Sequence, residues 1–199
     1  YLTTFNNMSF LDYSRHHNFP ISSSLHPLEE AHKAAADAST TDRFILIDGD
    51  NLPDYSFFGQ KLALNDATRN CVFRWKARNI VNSLVYGNGG ISCWTKDYVY
   101  NMRTHEAAYS ANGQVDFCWE DGYRPMIESY SVTYPNASPF QAWRAGFREG
   151  VKMSLDQGTK ASDIKSVWWQ NYDRLLIWCN VGDDVVNGIW SMIGAREGC

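Results

Sequence analysis

The sequence predicts an α/β fold built as one domain, and three observations carry that expectation. The continuous apolar run Phe44-Ile45-Leu46-Ile47 has the length and β-branched content of a strand buried on both faces. Helix-like segments flank it, an Ala-rich one opening at Pro27 and a strongly periodic one opening at Ser138. The chain has 199 residues, 44% of them apolar, enough for one sizeable core.

Taken in order, Tyr1 to Phe5 favours a first strand. Residues 6–24 read as polar connection, and the adjacent pair His16-His17 would diverge on any regular element. The helix from Pro27 to Ala38 has proline in its first turn and Glu29 and Glu30 near its positive end. His32 and Lys33 lie on it, either as a solvated face or within reach of a nucleotide. Beyond the apolar strand, Tyr55 to Leu64 is a short amphipathic segment and Cys71 to Trp75 a strand. Gly87, Gly89 and Gly90 follow, and they admit either a structural turn or a close approach of main chain to ligand. Lys96 to Ala108 reads as a helix carrying His105 and Glu106. Ser138 to Asp156 is the clearest helix: Ser138 caps it, Pro139 opens it, and Phe140, Trp143, Phe147 and Val151 recur as an apolar stripe. Leu175-Leu176-Ile177-Trp178 reads as a last buried strand, followed by a turn-rich acidic tail through Gly188.

The apolar run ends in Asp48-Gly49-Asp50. Two hard carboxylates at the carboxyl end of a strand suit Mg²⁺ or Mn²⁺, which takes one or two acids and shares its other positions with phosphate and water. Gly49 would let the backbone come close to that phosphate. The same residues also fit a hairpin turn, since Asp-Gly is a favoured two-residue loop. A second acidic pair, Glu120-Asp121, follows the aromatic stretch Phe117-Cys118-Trp119, where a carboxylate gains proton affinity and can act as general base; a turn or cap is the competing reading. Arg144, Arg148 and Lys152, at i, i+4 and i+8, line one helix edge that is either solvated or fit for a diphosphate or a nucleic-acid backbone.

A net charge of −4 excludes a global positive field, so any contact with nucleic acid must come from a local patch. The 8 Trp, 11 Tyr and 10 Phe are numerous enough to line a ligand cleft as well as a core. The five cysteines are scattered and never form a CxxC pair, which points to reduced thiols in the cytoplasm. No apolar run approaches the ~20 residues of a membrane span, so no membrane partner is expected.

The ordered set of Asp48-Gly49-Asp50, Tyr86-Gly87-Asn88-Gly89-Gly90 and Trp119-Glu120-Asp121, behind a helix bearing His32-Lys33, resembles a glycosyltransferase of the GT-A fold. The stretch from Ala31 to Lys152 is also similar to bacteriophage glycosyltransferases, some of which modify hydroxymethylated pyrimidines in DNA. The resemblance implies a Rossmann-like mixed sheet flanked by helices, with a nucleotide-binding half over residues 1–75 and an acceptor half over 76–199. It implies a nucleotide-sugar donor, Mn²⁺ or Mg²⁺ held by Asp48 and Asp50 with His105 as a distal ligand, and a base at Glu120 or Asp121. Gly89, Gly90 and Asn82 would border the donor sugar, and Arg144 and Arg148 would assist its diphosphate. Two rivals accompany this reading: a nucleotidyltransferase, which normally carries a Gly-rich phosphate loop near its N-terminus, and a non-catalytic carbohydrate- or nucleic-acid-binding domain.

Overall fold

The computed structural model describes residues 28–102, 122–156 and 159–199 and shows a mixed α/β protein. In chain order, helix α1 (Leu28–Ala38) leads to β1 (Arg43–Ile47), β2 (Asn51–Pro53) and a 3₁₀ turn (Tyr55–Gly59). Next come β3 (Val72–Asn79), β4 (Val85–Thr95), α2 (Lys96–Asn101) and β5 (Tyr123–Thr133). The remainder is α3 (Pro139–Ser154), the short pair β6 (Leu155–Asp156) and β7 (Thr159–Lys160), a 3₁₀ turn (Ile164–Ser166), α4 (Trp169–Asn180) and α5 (Gly188–Gly198). Among the described residues no helix is long and apolar enough to cross a membrane. The expected strand at Tyr1–Phe5, the His16-His17 pair and the acidic pair Glu120-Asp121 lie outside the described residues. So does the part of the expected helix that carries His105.

Five strands form one sheet in the order β1-β4-β3-β5-β2. β1 runs antiparallel to β4, with Phe44 opposite Trp94 and Ile47 opposite Ile91. β5 lies parallel to β3, since Val72 N donates to Gly122 O (2.8 Å) at their starts and Ile80 N to Thr133 O (3.0 Å) at their ends. The sheet is therefore mixed.

Two compact units divide the chain, one comprising residues 1–76 and 88–130, the other 77–87 and 131–199. In the first, alternation along the strands sorts side chains to two faces. Phe44, Val72 and Trp94 join Ala36, Val99, Met102 and Tyr123 on one face. Cys71, Phe73, Trp75, Ile91 and Cys93 join Phe57 on the other. β1 contributes to both, because Leu46 packs on the first cluster and Ile45 and Ile47 on the second. That explains its continuous apolar run. The expectation of a strand buried on both faces needs correction, however: β1 is an edge strand, and only Phe44 is fully buried. Arg43 ties this edge down by donating to Cys71 O (2.9 Å).

The edges of this sheet meet. From Ile47 to Asn51 the chain can span at most ~15 Å, whereas a flat five-stranded sheet would hold its edges ~19 Å apart. The sheet must therefore curl, and Asn51 of β2 does reach Gly90 of β4 although two strands separate them in the ladder order.

The second unit is mainly helical, with the ends of β3, β4 and β5 and the short β6–β7 pair, and here two expectations are overturned. Leu175–Trp178 is part of α4, not a strand. Leu175 and Trp178, three apart, are buried while Leu176 is exposed, which is helical spacing. In α3, capped by Ser138 through Gln141 N (3.2 Å), the buried residues are Ala142, Gly146, Gly150 and Met153, not the aromatic stripe. The reason is α5. A Cβ at Gly146 would stand 1.9 Å from Ser191 O, and one at Gly194 would stand 2.1 Å from Trp143 O. The two helix backbones touch where only glycine fits.

Gly146→Ala and Gly194→Ala should therefore each destabilise the protein by about 3 kcal/mol in chemical unfolding, because backbone on the facing helix must move. Gly49→Ala, whose Cβ meets nothing within 4 Å, should stay within about 0.5 kcal/mol of the parent. Equal effects at the three positions would refute this account of the helix pair.

Candidate metal centre at the sheet corner

The apolar residues of β1 deliver Asp48 to the corner where the sheet's edges meet. Asp48 N donates to Gly90 O (2.8 Å), one step past the Ile47–Ile91 register, so the ladder to β4 runs directly into the acidic segment. Asn51 N then donates to Asp48 O (3.0 Å), closing Asp48-Gly49-Asp50-Asn51 as a β-turn. It is not a hairpin, because β1 and β2 stand on opposite edges of the ladder.

The glycine-rich tract is not a turn either. Gly87 and Gly90 lie within β4 with φ of +64° and +79°, left-handed values that glycine adopts without penalty. The turn falls earlier, where Ser83 N and Leu84 O bond Asn79 (2.8 and 2.9 Å). At Gly90 a second constraint adds to the first. A Cβ there would lie 2.6 Å from Asn51 Nδ2 and 3.2 Å from Asp48 Oδ2. The bare backbone of Gly90 is thus what allows the Asn51 carboxamide and the Asp48 carboxylate to come in.

Asp48 is exposed as a whole residue, but its carboxyl end turns inward against Gly90 and Asn51. Burial of that end, with the charge of Asp50 as the lesser cause, pushes its pKa from 3.8 up to about 6. A carboxylate strained in this way gains from a nearby cation. Two acids and a carboxamide fit a hard divalent ion that completes its shell with water or phosphate. Among the described residues no group of three or more His, Cys, Asp and Glu side chains is placed to hold a metal ion, so protein ligands here would number at most the two acids and the carboxamide.

The other expected site residues fall in several places. His32 is buried in α1, its ring edge-on to Trp94 at 4.9 Å, which makes it a core histidine in its described contacts. Lys33 is half-buried beside it, and Gly89 lies in β4. Asn82, in the second unit, is buried in the β3–β4 connection, where its Oδ1 accepts from Leu84 N (3.2 Å). Arg144 and Arg148 are exposed on α3, also in the second unit. Glu120, Asp121 and His105 lie outside the described residues. The structure therefore joins Asp48, Asp50 and Gly90, and adds Asn51, which had read only as turn residue. The second unit holds a further unforeseen cluster. Tyr86 donates to Glu149 Oε2 (2.5 Å) and accepts from Trp178 Nε1 (2.6 Å), with Arg174 over its ring at 4.6 Å. Burial, then the charge of Glu149, raises the Tyr86 pKa, so the phenol stays protonated as a donor.

The raised pKa of Asp48 sets a sign for stability. The folded state holds this proton more tightly than the unfolded chain, so the contribution is fully present below about pH 4 and is lost as pH climbs through about 6. Asp48→Asn should flatten that decline and leave the protein more stable than the parent at neutral pH without metal. Thermal unfolding midpoints at acidic and neutral pH, with chelator present, check this; a variant less stable at neutral pH would contradict it.

No protein-family model, no curated protein and no solved structure matches this chain.

Proposed function

We propose that this chain is a metal-dependent glycosyltransferase that moves a sugar from a nucleotide-sugar donor to a hydroxyl acceptor, with its mixed sheet a GT-A-like core. One observation carries the reading: Asp48 and Asn51, distant from Gly90 in sequence, lie against it, so the acidic motif and the glycine-rich motif form one locus. Asp48 and Asp50 would hold Mn²⁺ or Mg²⁺, and Asn51 would orient the shell around it. When bound, that cation neutralises charge on a leaving diphosphate. Asp48, whose proton affinity is raised by burial and then by the charge of Asp50, would have to release that proton to hold the ion. The base that takes the acceptor's proton is assigned to Glu120 or Asp121. Hydroxymethylated pyrimidine in DNA is the acceptor this reading favours. The cysteines described, Cys71, Cys93, Cys179 and Cys199, are all free thiols, which supports a reducing, cytoplasmic setting.

Nucleoside diphosphate release across a panel of nucleotide-sugars, with Mn²⁺ or with chelator, tests the reading. At least one donor should be turned over only with metal, and Asp50→Asn should reduce that rate at least about 100-fold, as loss of a metal ligand or electrostatic stabiliser does. Labelled sugar should then pass to hydroxymethylated duplex DNA and not to unmodified duplex. Absence of metal-dependent release with every donor would overturn the assignment.

A further inference from the structure

We propose that helix α3 presents a binding face for single-stranded nucleic acid, built from an aromatic ladder beside a row of arginines. At roughly 100° per residue, α3 divides into three adjoining arcs. Ala142, Gly146, Gly150 and Met153 form the buried arc against the rest of the second unit. Next to it stand Phe140, Trp143 and Phe147. Their rings are nearly parallel, with centroids 6.0 Å apart at 23° for the first pair and 5.1 Å apart at 24° for the second. Beyond the rings come Arg144 and Arg148, both exposed and, by helical rise, ~6 Å apart along the axis.

Three features argue that this face is made for a partner. Phe140 is 66% exposed at the open end of the ladder, where its stack on Trp143 leaves most of its apolar surface in water. The described residues give neither Arg144 nor Arg148 an ion pair, whereas Lys152, further along the row, is held by Glu149 at 3.4 Å. The Trp143 indole is fixed by its Nε1 donating to Glu197 Oε2 at 2.6 Å, so the middle rung is oriented before anything binds. Glu197 thus lies on the ring side of the helix, and the arginines on the other.

Charge complementarity selects the occupant. The chain carries a net −4, so two guanidiniums on one helix edge, without an ion pair among the described residues, are a local attraction for a polyanion and not the by-product of a basic protein. An array of π-faces beside them suits an anion that brings π-faces of its own. Phosphates alone would use the arginines and leave the ladder idle, and a duplex keeps its base faces stacked internally. A single strand offers both, bases to the rings and backbone to the arginines. The inference needs neither metal nor sugar donor, so it stands or falls apart from the transferase reading.

Fluorescence anisotropy of a labelled oligothymidylate, titrated with the full chain in chelator, tests the proposal. Binding should weaken with salt and exceed binding of a matched duplex and of inorganic polyphosphate. Phe140→Ala should lower affinity about tenfold, in the range of one lost base–aromatic stack. The double variant Arg144→Ala/Arg148→Ala should reduce the salt slope by about 0.7 per lost phosphate contact. Trp169→Ala, removing an equally exposed ring from α4 (64%), should change nothing. Circular dichroism identical to the parent qualifies each variant. No binding of the oligothymidylate, equal binding of polyphosphate, stronger binding of duplex, or indifference to the α3 variants would each overturn it.

Discussion

The first unit depends on a close contact at Gly90. Its backbone takes a left-handed φ and leaves the place of a side chain to the Asn51 carboxamide and the Asp48 carboxylate. Because Asn51 begins β2 and Asp48 ends the β1–β4 ladder, this contact holds the two edges of a curled sheet at one corner. The same packing turns a carboxyl end inward and places a second carboxylate beside it. Closure of this corner and the raised proton affinity of Asp48 have one cause.

The second unit solves a different problem with the same residue type. Gly146 and Gly194 let α3 and α5 approach until backbone meets backbone, and the small residues Ala142, Ser191 and Ala195 continue that seam. A seam of small residues cannot accommodate large rings. Phe140, Trp143 and Phe147 are displaced to the adjoining arc, where they stack on one another. Tyr86, Glu149 and Trp178 then satisfy each other's polar groups in the interior, with Met153, Leu175 and Ala195 supplying the apolar surroundings.

How much of this was legible in the sequence follows from which signals are local. The caps and periodicity of α1 and α3 and the apolar run of β1 depend on near neighbours, and they read correctly as elements. The faces did not. Large apolar residues in α3 suggested the buried stripe, but tertiary packing chose the small ones because α5 comes too close for anything else. Leu175–Trp178 looked like a strand since a four-residue apolar run carries no period; the buried pair at i and i+3 is visible only once its partners are known. β5 went unread because Pro125 and Glu128 interrupt it and only Tyr123 and Ser131 along it are buried. At the site, the acidic pair and the glycines were both visible as motifs. Their contact was not, as it joins residues far apart in sequence through a bent sheet, and Asn51 gave no sign beyond its turn propensity.

The central claim is that Asp48 and Asp50 grip a divalent cation at this corner. Diffraction from crystals soaked in Mn²⁺ with a nucleoside diphosphate, recorded at the manganese edge, tests it directly. The account predicts an anomalous peak within bonding distance of carboxylate oxygens of Asp48 or Asp50, with the diphosphate on its far side. A manganese peak elsewhere, or an empty corner in crystals where the nucleotide is bound, would contradict it.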